Sequence, residues 1–175
     1  MKRSWQVSIA LVGLLAVGFS LAAQETVDKP SPAAVERTRD TVKMLDDIYK
    51  TTVVLITDKY VHSDADFAAG SAAVALFAAI DKKGWHTAEL LDVTGDPYDS
   101  DNVANDDFEK QAVEKIKRGE VFVEAIERDT NGKFVLRAMT PVPVVLEKCS
   151  MCHDHYKQVK AGVAIGAISY AVPIK

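Results

Sequence analysis

Cysteine is scarce in this chain: 175 residues contain 2, so no disulfide framework can staple the fold. Glycine and proline are also few, at 9 and 6, which excludes a collagen-like or low-complexity polymer. There is no clustered basic surface, and the formal net charge is −4. A nucleic-acid partner would want the opposite, a concentrated patch of Lys and Arg, so none is expected. Nucleophile elbows, phosphate-cradling glycine loops and paired-carboxylate motifs are missing too. No enzymatic turnover is expected. What is present is ordinary globular material, 48% hydrophobic and 26% charged, enough for one domain with a buried core.

The N-terminus has three parts. Lys2 and Arg3 are basic, Val7 to Phe19 is apolar or small, and Ser20-Leu21-Ala22-Ala23-Gln24 supplies small residues. This is the pattern of a secretory signal. The apolar run is short against the ~20 residues of a bilayer span, which favours cleavage over a retained anchor. Cleavage is expected after Ala22 or Ala23. The organisation read from the sequence is then a signal peptide over 1–23, a tether and the start of a helix over 24–40, and a folded domain over 41–175. The mature protein is expected to be periplasmic or secreted, with no membrane span left.

Along the mature chain, Ser31-Pro32 reads as an N-cap followed by proline at the first helical position. Apolar residues then recur at helical spacing to about Tyr60, and the β-branched run Thr51–Val54 is where a break would fall. His62-Ser63-Asp64 reads as a turn. Asp64 or Asp66 is the expected cap of an alanine-rich helix from Phe67 to about Lys83, with Gly84 closing it. A strand is expected from Trp85 to Val93, followed by a polar loop to Asn105. Asp106 and Glu109 resemble a capping box for a short helix ending at Gly119. Val121–Glu127 and Lys133–Thr140 flank Asn131-Gly132, a hairpin signal, and Pro141 and Pro143 are expected to end the second strand. A last strand is expected over Gly166–Val172. The fold class is α+β, an antiparallel sheet of four or five strands with N-terminal helices packed on it. The acidic loop from Asp92 to Asp107 lacks the EF-hand spacing and reads as a solvated, helix-capping loop rather than a calcium site.

Both cysteines fall in Cys149-Ser150-Met151-Cys152-His153. C-x-x-C-H is the attachment motif of c-type haem. On a helical turn, positions i, i+3 and i+4 share a face, so all three residues can address one flat object. Cys149 and Cys152 would be the thioether donors for one covalent haem c, and His153 the proximal iron ligand. The alternatives are haem-free. The pair could form a short disulfide, or a zinc site completed by His155, His62 or His86, in a structural or metal-binding extracytoplasmic domain. A thioredoxin-like pair would need a βαβ setting, whereas this motif falls late, after a hairpin.

A family resemblance rests on several stretches. These are Gly84-Trp85 to Glu109, Arg137-Ala138-Met139-Thr140-Pro141, the motif itself, and the closing Gly162–Pro173 with its Gly166-Ala167-Ile168-Ser169. Together they resemble the PAS-like c-type haem domain typified by a cyanobacterial Tll-type haem protein, over roughly Thr41 to Lys175. The resemblance implies a PAS-like sheet carrying helices and one haem, in a free-standing secreted protein. It implies roles in redox or gas sensing or in one-electron transfer, with a redox partner protein or a small diatomic ligand as partner. Some members are thought to use a further cysteine as distal iron ligand, and this chain has no third cysteine. The sixth position is left to His86, His62, Met139, Met44, a lysine, water or a vacancy. Arg137 and Lys133 are the cations near the motif that could pair with haem propionates.

Overall fold

The first ordered element follows from Ser31, whose Oγ accepts a hydrogen bond from the Ala34 amide at 3.2 Å and opens helix α1, Pro32–Tyr60. The structure, a computed structural model, describes residues 29–63, 68–150, 154–160 and 162–175. The expected signal peptide and cleavage site lie outside the described residues, as do Asp64, Asp66 and Phe67. The expected break in α1 is not there: 29 residues run as one helix through Thr51–Val54. Packing carries it through, with Tyr49 in the core and Val53 against it, and buried threonines elsewhere on the helix satisfy their hydroxyls on its own carbonyls. Thr38 donates to the Ala34 carbonyl at 2.8 Å, and Thr57 to that of Val53 at 2.7 Å.

Helix α2 is Ala69–Asp81, shorter than expected at its start; Ala68 holds the N-cap position without a side-chain bond. Gly84, at φ +70°, turns the chain out of it. Strand β1 is Thr87–Asp92, helix α3 Asp107–Lys117, and strands β2, β3 and β4 are Val123–Arg128, Phe134–Pro143 and Ala164–Pro173. The four strands form one antiparallel sheet in the order β1-β4-β3-β2. The α+β reading holds, with four strands and three helices among the described residues. No described helix is long and apolar enough to cross a membrane.

The pleat divides the core in two. Ala88, Leu136, Ala138, Ile168, Tyr170 and Val172 face α1 and α2, meeting Val35, Val42, Tyr49, Ala73 and Phe77. Leu91, Met139, Ala167 and Val123 face the other way, onto Ala112, Val113 and Ile116 of α3. Burying each large apolar side chain contributes about 1.5–3 kcal/mol, so both layers are needed for a domain of this size.

One local expectation needs correction. Pro141 does not end β3, which continues to Pro143 with a register shift between Val142 and Pro143. Strand β2 pairs only as far as Met139, so beyond it the β2 side of β3 has no strand partner among the described residues, the setting in which proline is tolerated. The hairpin expected around Asp129-Thr130-Asn131-Gly132 is there, joining β2 to β3. Asp129 Oδ1 accepts from the amides of Asn131 and Lys133, both at 2.8 Å, and Gly132 alone takes positive φ.

Candidate functional site

The stretch that holds both cysteines joins β3 to β4. It therefore emerges at the end of the sheet where Val142 pairs with Gly166 and Gly166 with Asp92. Helix α1 runs along the sheet toward the same end. Arg37 near its start donates to the Lys175 carbonyl at 2.9 Å, Asp46 accepts from Thr140 of β3, and the last turn meets Lys148. The Lys148 ammonium donates to the carbonyl of Asp58 at 2.7 Å and to that of Thr57 at 3.4 Å. Cys149, half-buried, is the next residue. Both belong to a 3₁₀ turn, Glu147–Ser150, that packs against a second one at Asp154–Gln158. Cys152 and His153 lie outside the described residues, so Cys149 is the one predicted haem residue that can be placed.

Beside it the covered stripe of α1 changes course. Val35, Val42, Tyr49 and Ile56 follow at seven-residue steps and share one helix face. The first three are 8%, 0% and 7% exposed, but Ile56 is 42% exposed, and Tyr60 one turn later is 75% exposed. The covered stripe continues instead through Val53, Thr57 and Val61, the last two 4% and 6% exposed, so Ile56 and Tyr60 stand open to solvent at its edge. The half-buried Cys149 lies at the same end of the molecule, where its sulfur chemistry suits a thioether to haem.

The candidate sixth ligands fall in different places. His62 is exposed and directly follows Val61, the C-cap of α1, so it lies at the Cys149 end. His86 precedes β1 at the other end of that strand, with Nε2 at 2.7 Å from the Tyr49 hydroxyl and its ring stacked on Tyr49. Burial lowers its pKa, which favours the neutral imidazole. Met139 is 0% exposed and packs in the α3 layer of the core. Met44 is exposed on α1.

Arg137 faces α3 and is engaged by carboxylates there. Its guanidinium meets Asp106 at 2.7 Å and Glu109 and Glu127 at 3.4 Å, and stacks over Phe108. Buried Glu109 also accepts from the Ser169 hydroxyl and the Asn105 amide, both at 2.9 Å. The capping box is therefore shifted by one residue. Asp106 accepts from the Glu109 amide at 2.8 Å, but Glu109 reaches back to Asn105 rather than to Asp106. These groups line a polar recess of about 270 Å³. Carboxylates of the acidic loop serve its own turns, as where Asp92 accepts from Thr94 Oγ1 and the Gly95 amide, both at 2.6 Å.

Sequence reasoning missed a polar cluster under α1. Tyr170 donates to Asp46 at 3.0 Å, and Lys50 pairs with the same carboxylate at 2.9 Å and with Thr140 Oγ1 at 3.1 Å. Burial, then the Asp46 charge, holds the Tyr170 phenol far above its usual range. No local signal announces it, since Asp46 and Tyr170 are 124 residues apart.

Comparison with known proteins agrees with this fold. The crystal structure of the cyanobacterial haem protein Tll0287 is similar to this one, with a TM-score of 0.54 at 10% identity, over 82% of this chain and 96% of that one. At that identity the likeness concerns the fold. No curated protein matches the chain. The model of the Tll0287-like family matches residues 25–173, and the chain belongs to that family.

Proposed function

We propose that this protein is an exported monohaem c-type cytochrome that works by one-electron exchange or by reporting redox state or a diatomic gas. Cys149 and Cys152 hold the haem as thioethers, and His153 is its proximal ligand. The observation that carries the reading is the Cys149–His153 motif in a chain of the Tll0287-like family, with Cys149 half-buried in the turn next to the end of α1. The solved relative is described as a haem protein, which supports the same cofactor here. Bound haem supplies a one-electron iron centre whose potential and ligand affinity depend on its axial ligands and on burial.

The chain's own residues do the rest. Covalent attachment lets a small domain keep a large cofactor without enclosing it. Residues 1–23 direct export, which places the thiols where free cysteines rarely persist.

The test is a denaturing gel stained for haem peroxidase activity, with protein made in cells competent for cytochrome c maturation. Covalent haem should migrate with the chain, and Cys149→Ala combined with Cys152→Ala should abolish the stain. Full staining of the double variant would refute the attachment site. A spectrum of the reduced protein with CO then separates the two roles: a shifted Soret band supports gas binding, and an unchanged one supports electron exchange.

A further inference from the structure

We infer that Tyr49 and His86 form a redox-active site: Tyr49 gives one electron to a diffusible radical oxidant while its phenolic proton passes to His86 Nε2. The inference is independent of the haem reading. A buried phenol gives up an electron readily only if its proton leaves with it, because otherwise an unpaired positive charge is left in the core. The proton acceptor must already stand within hydrogen-bond reach, and His86 Nε2 is 2.7 Å from the Tyr49 oxygen. A phenol is a stronger acid than a neutral imidazole N–H, so the oxygen donates and the nitrogen accepts. Burial raises the Tyr49 pKa and lowers that of His86, so both groups rest neutral with the proton on oxygen. Tyr49 is 7% exposed and meets Phe77 edge-on at 5.4 Å, which shields its ring from collision with other phenols. His86 is half-buried, so the imidazolium formed keeps contact with water.

In the step, an electron leaves the Tyr49 ring and reduces the oxidant, an oxyl or peroxyl radical, to its anion. The Tyr49 O–H bond breaks and an N–H bond forms at His86, leaving a neutral tyrosyl radical beside an imidazolium. A one-electron donor such as ascorbate reverses both transfers. Tyr170 stacks on Tyr49 with ring centroids 6.5 Å apart and planes 10° from parallel, close enough for an electron to pass between them. Its own hydroxyl donates to Asp46, a weaker base than imidazole, whose oxygens also accept from Thr140 and Lys50. The radical therefore settles on Tyr49. Trp85, 71% exposed, offers the oxidant an open ring one residue from His86.

The experiment uses the full exported protein, oxidised beforehand with ferricyanide so that no reduced iron supplies the electron. A flash in the presence of tris-bipyridine ruthenium and persulfate generates the oxidant, and electron paramagnetic resonance follows the radical after freezing at set delays. A persistent tyrosyl signal is expected. Tyr49→Phe should lower it at least tenfold, and Tyr170→Phe should leave it in place. His86→Gln, which keeps the phenol but removes the base, should slow its formation on the order of a hundredfold. A persistent signal of equal yield in Tyr49→Phe, or of equal rate in His86→Gln, would overturn the inference. Should either variant fail to fold, unsubstituted protein labelled at the histidine ring nitrogens decides. Pulsed resonance should then show an imidazole nitrogen coupled to the tyrosyl radical, and absence of that coupling would contradict the assignment.

Discussion

The Tyr49 hydroxyl and His86 Nε2 share a hydrogen bond 2.7 Å long, joining the middle of α1 to the entrance of β1. The His86 ring lies nearly parallel to Tyr49, which in turn stacks on Tyr170 at 6.5 Å. Burial holds the His86 pKa below its ordinary value. In the unfolded chain the imidazole returns to about 6.5, so there it takes up a proton before the folded protein does. The stability this pair contributes is fully present above that pH and is lost as the pH falls through the lower folded value. Urea unfolding from pH 7.5 to 5 should show a declining midpoint, and His86→Gln should flatten the decline. Tyr49→Phe should cost about 1 kcal/mol at neutral pH while leaving the core ring in place.

Arg137 is the one guanidinium among Asp106, Glu109 and Glu127, and Glu109 is 4% exposed. Replacing it with Met leaves a buried carboxylate without its cation. Chemical denaturation should register a loss of about 3 kcal/mol. Because Arg137 faces α3, haem content and the visible spectrum of the folded fraction should not change. A large spectral change with normal stability would place Arg137 at the haem after all.

Gly166 sits where β1, β3 and β4 meet below the motif. A Cβ there would stand 3.0 Å from the Leu91 carbonyl oxygen, which is backbone and has little room to move. Gly166→Ala should therefore destabilise the fold by about 1–3 kcal/mol through strand displacement. The thermal midpoint should fall even though alanine is the smallest possible addition, and an unchanged midpoint would mean that the strands part freely at this end.

Much of this architecture is legible in the sequence, for identifiable reasons. Ser31-Pro32, Asp106 and Gly84 act through local backbone chemistry, so they mark helix ends correctly. The alternation in Leu136–Met139 and Ala167–Val172 fixes a two-sided sheet, but not which side meets which helix. That Met139 and Arg137 face α3 is therefore seen only in the fold. Thr51–Val54 reads as a weak point because propensity sees only the helix, whereas Tyr49 and Val53 pack on the sheet and carry the segment through. The bonds of Lys148 to Asp58 and of Tyr170 to Asp46 span 90 and 124 residues, so no window of sequence contains them.

The most direct test of the whole account is the intact mass of the protein recovered from the periplasm of cells competent for cytochrome c maturation. The account predicts a chain that begins at residue 23 or 24 and is heavier than its sequence by one haem. A mass equal to that of the bare polypeptide would contradict it and would leave Cys149 and Cys152 to the disulfide or zinc chemistry of a haem-free domain.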